Sequence, residues 1–268
     1  MTSRPLRTSR AGFGQFPDSV FAQQTGPEEL HPSMVRQARQ SGQLNLSNRG
    51  LAGVPERVWS LGEPDKEEQQ QLATQTMDSS GGQQWWDCVD LTKLILACNN
   101  IQTISPKVLI AFGGMWLCGS TVMVNKIRQV GGLVSLQVLD LHDNQLSELP
   151  AQLGELTQLS RLNLSHNRLQ SLPEPVFLLA ELRLLQVNNN SIGEVGELLG
   201  NLNMLGTLDL AHNQLTSLPS SCGFLTRLTS LNLSHNQLDR LPPELGSLAA
   251  LATLDLSSNR HDCLQKSR

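Results

Sequence analysis

Asparagine recurs at a fixed interval through the second half of this chain. Six asparagines, each 23 residues from the next, are Asn144, Asn167, Asn190, Asn213, Asn236 and Asn259. The pattern L-x-x-L-x-L-x-x-N-x-L surrounds the first of them, with Leu136, Leu139 and Leu141 before Asn144, and it recurs with the asparagines. Such a period restricts the chain to a stack of similar units, because one unit cannot bury its own apolar face.

Each unit contains a short alternating segment followed by a Leu-Pro segment. Alternation places the leucines on one face of a strand. Strands are expected near 93–96, 138–141, 161–164, 184–187, 207–210, 230–233 and 253–256. The asparagine follows the strand, where its side-chain amide can bond main-chain groups of the turn. The spacing of three after Leu149-Pro150 indicates a helical or 3-10 return.

These features predict an α/β solenoid with short parallel strands on its concave face and helical or 3-10 returns on its convex face. The repeat pattern resembles that of the leucine-rich repeat superfamily. A narrower resemblance is carried by residues 40–47, Val54-Pro55, Trp85-Trp86-Asp87 and 90–95, and covers roughly residues 35–259. They resemble the amino-terminal part of one family of intracellular repeat proteins. That resemblance implies no catalytic residues and a longer parent array.

The sequence divides into seven predicted segments. They are 1–34, a disordered leader; 35–61, an atypical first repeat that caps the stack; 62–84, a polar loop; 85–104, a repeat; 105–132, an unpatterned apolar insert; 133–259, tandem 23-residue repeats; and 260–268, a truncated tail. Trp59, Trp85 and Trp86 are assigned to the cap. A mitochondrial presequence is the alternative for the Arg/Ser-rich leader, although its proline and glycines interrupt an amphipathic helix.

The insert carries no period that matches the repeats. Residues 106–128 are therefore expected not to pack stably against them, and their deletion is expected to stabilise the domain. The stretch 108–124 is uncharged, so a membrane span is an alternative, but it is short and contains Gly113, Gly114 and Gly119.

Composition narrows the classes of function. A net charge of -4 with 16% charged residues provides no basic surface for phosphate, which argues against nucleic-acid binding. The first twenty residues lack the apolar core of a secretory signal. The five cysteines form no C-x-x-C pair, which favours a reducing compartment, so we expect a cytoplasmic protein and leave the nucleus open. Cys222 occupies the slot held by Val176 in another unit and is interpreted as a small buried apolar residue.

No catalytic or cofactor site is predicted, because phosphate-binding glycine loops and G-x-S-x-G elbows are both absent from the sequence. His166, His212 and His235 share the slot before the asparagine, together with Asp143 and Asn189. Strand spacing brings His212 and His235 within zinc-bridging reach. We prefer to interpret this slot as polar surface, so no metal site is predicted.

The concave face is the expected binding surface. Its candidate partner-binding residues are Asp140, Arg161, Asn163, His166, Arg183, Gln186, Asp209, His212, Asn232, His235 and Asp255. The predicted function is a non-enzymatic protein-protein interaction module or scaffold, with other proteins as partners and a mild preference for a basic segment. Charge reversal of Asp209 with Asn232→Arg is expected to abolish capture without lowering the melting temperature, because both side chains are predicted to point to solvent.

Two other functions remain open. One is a regulatory or targeting subunit of a signalling enzyme in a phosphatase or small GTPase pathway, because the 23-residue Leu-Pro repeats resemble those of Ras-pathway scaffolds. The other is an enzyme whose catalytic domain lies in a missing continuation.

Overall fold

The computed structural model describes residues 30–58, 61, 89–104 and 135–260. The predicted polar loop, the proposed membrane span 108–124, residues 106–128 and the three cap tryptophans lie outside the described residues. Among the helices that are described, none combines the length and the apolar character needed to cross a membrane.

The described strands form one parallel sheet in chain order. Each strand has three residues: β1 Gln43–Asn45, β2 Lys93–Ile95, β3 Val138–Asp140, β4 Arg161–Asn163, β5 Leu184–Gln186, β6 Thr207–Asp209, β7 Ser230–Asn232 and β8 Thr253–Asp255. Neighbours pair in the register of the repeat, so that Leu139 lies beside Leu162 and Leu162 beside Leu185. The predicted solenoid is confirmed, and its strands begin where the alternation begins.

Short 3-10 turns return the chain from one strand to the next. Those described are Glu56–Val58, Ala151–Glu155, Glu174–Leu178, Glu197–Asn201, Ser220–Phe224 and Pro243–Ser247. A proline precedes most of them in an extended conformation, as Pro150 does with φ -70° and ψ 147°. The proline ring fixes this φ, which starts the turn at the same place in successive units. The leucines of strands and returns meet in one apolar cluster that runs through the repeats.

An α-helix, α1 (Pro32–Ser41), precedes the first strand. Its Val35 and Ala38 are buried in the same apolar cluster as the repeat leucines, so the helix covers the first unit. Gly42 ends the helix at φ 65°, and a Cβ there would stand 2.7 Å from the carbonyl oxygen of Asp90. Only glycine satisfies both conditions. The sequence pattern predicts a cap in this region but does not predict the helix.

The repeated asparagines link neighbouring units by hydrogen bonds. Asn167 Nδ2 donates to the carbonyls of Leu164 and Ser165 in its own unit and of Leu141 in the preceding unit. Its Oδ1 accepts from the N–H of Leu146, also in the preceding unit. The same set of four bonds recurs at the other asparagines of the period. The repeated asparagines therefore make the predicted hydrogen bonds to main-chain groups of their own turn, and they also make hydrogen bonds to the preceding unit.

Candidate functional site

The outward side chains of the sheet fall into two columns, because the middle leucine of each strand from β1 to β7 is buried in the core. Leu254, the middle residue of the last described strand β8, is 40% exposed. The polar column holds the third strand residues Asp140, Asn163, Gln186, Asp209, Asn232 and Asp255. The first column holds the first strand residues Val138, Arg161, Leu184, Thr207, Ser230 and Thr253. We call the two columns together the strand face. The structure therefore aligns the six polar residues that the sequence assigned to one strip.

The polar column has a structural role that the repeat pattern does not predict. Asn163 Oδ1 accepts hydrogen bonds from the backbone N–H and the hydroxyl of Ser165, two residues further on. Asn232 does the same with Ser234, at 3.1 Å and 2.8 Å. These are Asx turns, in which a short polar side chain stabilises the bend that follows it. The sequence signal for these turns is an Asp or Asn four residues before five of the six repeated asparagines, the exception being Gln186.

The aspartates of the column form the same turn. Asp209 Oδ1 accepts from the N–H of Ala211 at 3.1 Å, and Asp255 Oδ1 accepts from the N–H of Ser257 at 2.9 Å. The Ser257 bond lowers the pKa of the Asp255 carboxyl, because the donated hydrogen bond favours its charged form. Reversal of Asp209 together with Asn232→Arg therefore removes three turn bonds. The premise of the earlier expectation, that both side chains only point to solvent, does not hold, so we now expect the double substitution to lower the melting temperature.

Part of the polar column stays available to a partner. Each Asx turn uses one side-chain oxygen, which leaves the second carboxylate oxygen of Asp209 and the amide nitrogen of Asn232 without a hydrogen bond to any described residue. Gln186 is too long for the turn, and neither end of its amide bonds to a residue that the structure describes. The column thus presents both donors and acceptors, in strands about 4.8 Å apart.

The first column contains only one of the two candidate arginines, Arg161. Arg161 pairs with Leu184, and Leu184 pairs with Thr207. Arg183 lies one residue before β5, where its carbonyl accepts from the N–H groups of Gly206 and Thr207. The strand face therefore has Arg161 between two half-buried apolar side chains, Val138 and Leu184, and lacks the pair of arginines in one column. The residue 23 positions after Arg161 is Leu184, so the period itself predicts Leu184 as its neighbour in the first column.

The slot before each repeated asparagine is a left-handed turn position. His166, His212 and His235 have φ of 55°, 52° and 55° there, as do the residues of the other units. Asparagine, aspartate and histidine tolerate this conformation better than most side chains. Cys98 also occupies the slot, and burial together with the Asp143 carboxylate raises the pKa of its thiol.

The three histidines do not converge on one point. His212 and His235 stack with ring centroids 4.0 Å apart and an interplanar angle of 10°. His166 lies instead between Asp143, 3.7 Å from its Nδ1, and Asn189, whose amide donates to Nε2 at 3.3 Å. Parallel stacked rings direct their nitrogen lone pairs side by side, which does not suit a shared metal ion.

Models of known families match the repeat region. A leucine-rich repeat model matches residues 157–215 and 203–260, and a model of two leucine-rich repeats matches residues 134–176.

Two solved structures show the same kind of fold, and a third is also similar. YopM, a leucine-rich effector protein of Yersinia pestis, superposes with a TM-score of 0.55 and 24% identity, over 85% of this chain and 52% of YopM. A leucine-rich repeat protein of Leptospira interrogans has a TM-score of 0.50 and 26% identity, over 87% of this chain and 58% of that one. The PEPR1–AtPEP1 structure has a TM-score of 0.49 and 26% identity, over 63% of this chain and 21% of that one.

This chain thus spans 21%, 52% and 58% of the lengths of these structures. The eight-stranded parallel sheet, its 3-10 returns and the family models agree on one assignment. Residues 134–260 of this chain match models of leucine-rich repeats, and the chain has the solenoid fold of the structures it resembles.

Proposed function

We propose that this chain is a non-enzymatic protein-interaction module that binds its partner along the strand face. The observation that carries the proposal is the polar column, which runs without interruption over six strands and keeps part of its hydrogen-bonding capacity unused. Six strands at about 4.8 Å span about 25 Å, which fits a helix or an extended peptide. Repeat solenoids commonly bind partners on this face because it is rigid and its positions vary independently.

The chemistry of the column favours a partner with a basic segment. Asp140, Asp209 and Asp255 each offer a carboxylate oxygen that the turn does not use. Asn232 and Gln186 add amide groups that can bond a peptide backbone. Charged hydrogen bonds of this kind are roughly twice as strong as neutral ones, so the aspartates would set the preference.

The test adds positive charge where no turn bond is lost. Gln186→Arg with Thr207→Arg places two cations beside Asp209, and neither native side chain bonds to a described residue. Thr226→Arg with Ala249→Arg makes the same change in net charge at exposed positions outside the strands. We expect affinity capture from a lysate, followed by quantitative mass spectrometry, to lose its specific partners with the first variant and keep them with the second.

Melting temperatures of both variants control for folding. The proposal fails if the strand-face variant melts like the native protein and captures the same partners. Loss of the specific partners with both variants would instead indicate a general effect of positive charge. That result would also contradict the proposal that the partner binds on the strand face. The exposed side chains of Leu178 and Phe224 on the returns would then be the next surface to substitute.

Three finer statements belong to the same proposal. The narrower sequence resemblance supports a relationship to the amino-terminal part of leucine-rich repeat-containing protein 40, although its Trp85-Trp86-Asp87 portion lies outside the described residues. The cysteine usage supports a cytoplasmic location. The role as a targeting subunit of a signalling enzyme is a special case, which the experiment supports if the partners captured are components of a phosphatase or small GTPase pathway.

A further inference from the structure

Three side chains with metal-binding atoms meet beside the strand face. Cys98 follows β2, and His142 and Asp143 follow β3. The pairing of Ile95 with Asp140 continues into the turns, where the Cys98 N–H donates to the His142 carbonyl at 3.0 Å. Two neighbouring repeats therefore hold the three side chains together. Of the residues that the structure describes, these are the ones that could form a metal site from three ligand atoms.

The three ligand atoms form a nearly regular triangle. Cys98 Sγ lies 3.8 Å from His142 Nε2 and 3.8 Å from Asp143 Oδ2, and those two atoms are 3.8 Å apart. The centre of such a triangle is about 2.2 Å from each corner, which matches zinc bond lengths of roughly 2.0–2.3 Å to nitrogen, oxygen and sulfur. The spacing fits a single ion without movement of the backbone.

His142 is oriented for this role by another carboxylate. Its Nδ1 lies 2.7 Å from Asp140 Oδ1, in the polar column. A proton on Nδ1 would donate to that oxygen and leave the Nε2 lone pair directed toward Cys98 and Asp143. Carboxylate–histidine pairs of this kind orient the metal-binding imidazole in zinc sites and raise its basicity.

The geometry points to a zinc-class metal site with Cys98 Sγ, His142 Nε2 and Asp143 Oδ2 as ligands and Asp140 as the positioning residue. Thiolate and imidazole together favour Zn²⁺ over the hard cations Mg²⁺ and Ca²⁺. The His142 and Asp143 side chains are 32% and 49% exposed, so water can reach the fourth tetrahedral position. A site with three protein ligands and one exchangeable water follows.

The other repeats supply substitutions that suit the turn. Asn48 and Asn189 occupy the Cys98 slot, and Ser165 occupies the His142 slot. Cys98→Asn and His142→Ser therefore remove ligands while keeping residues that the fold accepts. Asp140→Asn removes the carboxylate but keeps the turn acceptor, as Asn163 does.

The experiment titrates the full-length reduced protein, freed of metal, with Co²⁺ and then with Zn²⁺. We expect one Co²⁺ to give the visible spectrum of a tetrahedral site with a thiolate-to-cobalt charge-transfer band, and Zn²⁺ to displace it. Cys98→Asn should lose the band, and Asp140→Asn should lower the metal affinity about 10- to 100-fold. His142→Ser should lower it further. Cys222→Val and His235→Asn, outside the cluster, should bind like the native protein.

Melting temperatures in chelator separate folding from binding, because all the variants should then melt close to the native protein. Zn²⁺ should raise the melting temperature of the native protein but not of Cys98→Asn. The proposal is overturned if Cys98→Asn keeps the charge-transfer band, since another cysteine would then be the ligand. It is equally overturned if the native protein shows no tetrahedral cobalt spectrum, or if Asp140→Asn binds as tightly as the native chain.

Discussion

The side-chain amide of Asn167 donates a hydrogen bond of 3.0 Å to the carbonyl oxygen of Leu141, which belongs to the preceding repeat. The carbonyl is buried between two units, where water cannot replace the donor. Each repeated asparagine therefore stabilises the interface between units as well as its own turn. The stability of the array depends on a polar residue in the middle of an apolar stack.

Replacing Asn167 tests this dependence. Asn167→Ala removes four hydrogen bonds and leaves the buried N–H of Leu146 without a described partner, whereas each of the three carbonyls keeps a second donor. An unsatisfied buried group costs about 1–3 kcal/mol and each other lost hydrogen bond about 0.5–1.5 kcal/mol, so we expect the free energy of unfolding to fall by about 3 kcal/mol or more. Asn259→Ala is the matched control, since Asn259 makes the same bonds at a half-buried position and should cost less. Equal losses in urea unfolding would contradict the account.

A glycine allows two returns to pack closely. A Cβ on Gly200 would stand 2.8 Å from the carbonyl oxygen of Ser221 and 3.0 Å from Phe224 Cδ2, whereas one on Gly246 would meet nothing within 4 Å. Gly200→Ala is expected to lower the free energy of unfolding by about 1–3 kcal/mol through overpacking. Gly246→Ala, at the equivalent position two units later, should leave it unchanged or slightly raised. Thermal unfolding of both variants distinguishes close packing from a general intolerance of alanine.

The two kinds of residue in the polar column should differ in their effect on stability. Asn232→Ala removes the acceptor of two turn bonds from Ser234, so we expect a loss of about 1 kcal/mol in unfolding free energy. Gln186→Ala removes no described hydrogen bond and should cost less than about 0.5 kcal/mol. Chemical denaturation measures both values. A larger loss of unfolding free energy for Gln186→Ala than for Asn232→Ala would contradict the proposal that the Asx turns of the column stabilise the fold.

The thiol of Cys222 should make stability depend on alkaline pH. The side chain is 2% exposed, and burial raises its pKa from 9.0 to about 11. Above about pH 9 the unfolded chain releases a proton that the folded chain retains. The free energy of unfolding should therefore fall between about pH 9 and 11, by at most about 1.4 kcal/mol per pH unit.

Cys222→Val isolates this effect, because Val176 fills the equivalent slot and is fully buried. The variant should show a shallower decline with pH than the native protein, and the difference should vanish below about pH 8. Identical slopes would assign the alkaline destabilisation to other groups.

The 23-residue period predicted the strands, the buried leucines and the hydrogen bonds between the asparagine side chains and the main chain. This succeeded because a stack of similar units places the same slot in the same environment each time, so the period of 23 carries three-dimensional information. The same period places Leu184 beside Arg161, whereas the candidate Arg183 lies one residue before β5. Buried Cys222 followed from its slot as well.

Other features depended on contacts that no single repeat contains. The length of helix α1 and the position of Gly42 are set by the approach of Asp90, which follows a long stretch of chain. Buried Phe177 in the return Glu174–Leu178 and Gly200 in the next return occupy equivalent positions. The period does not predict this difference, which depends on how closely neighbouring returns pack. The Asx turns reduce the number of polar groups that a partner can bind. Their identification required the hydrogen bonds that Asn163 and Asn232 make in the folded structure.

The meeting of Cys98 with His142 shows the limit most clearly. Sequence alone determined that both belong to turns after strands of one solenoid. An interval of 44 residues separates them, and only the histidines at 166, 212 and 235 were weighed as metal ligands from the sequence, so Cys98 and His142 were not connected. Pairing of β2 with β3 made them neighbours, because parallel strands bring equivalent turns to one edge regardless of the chain length between them.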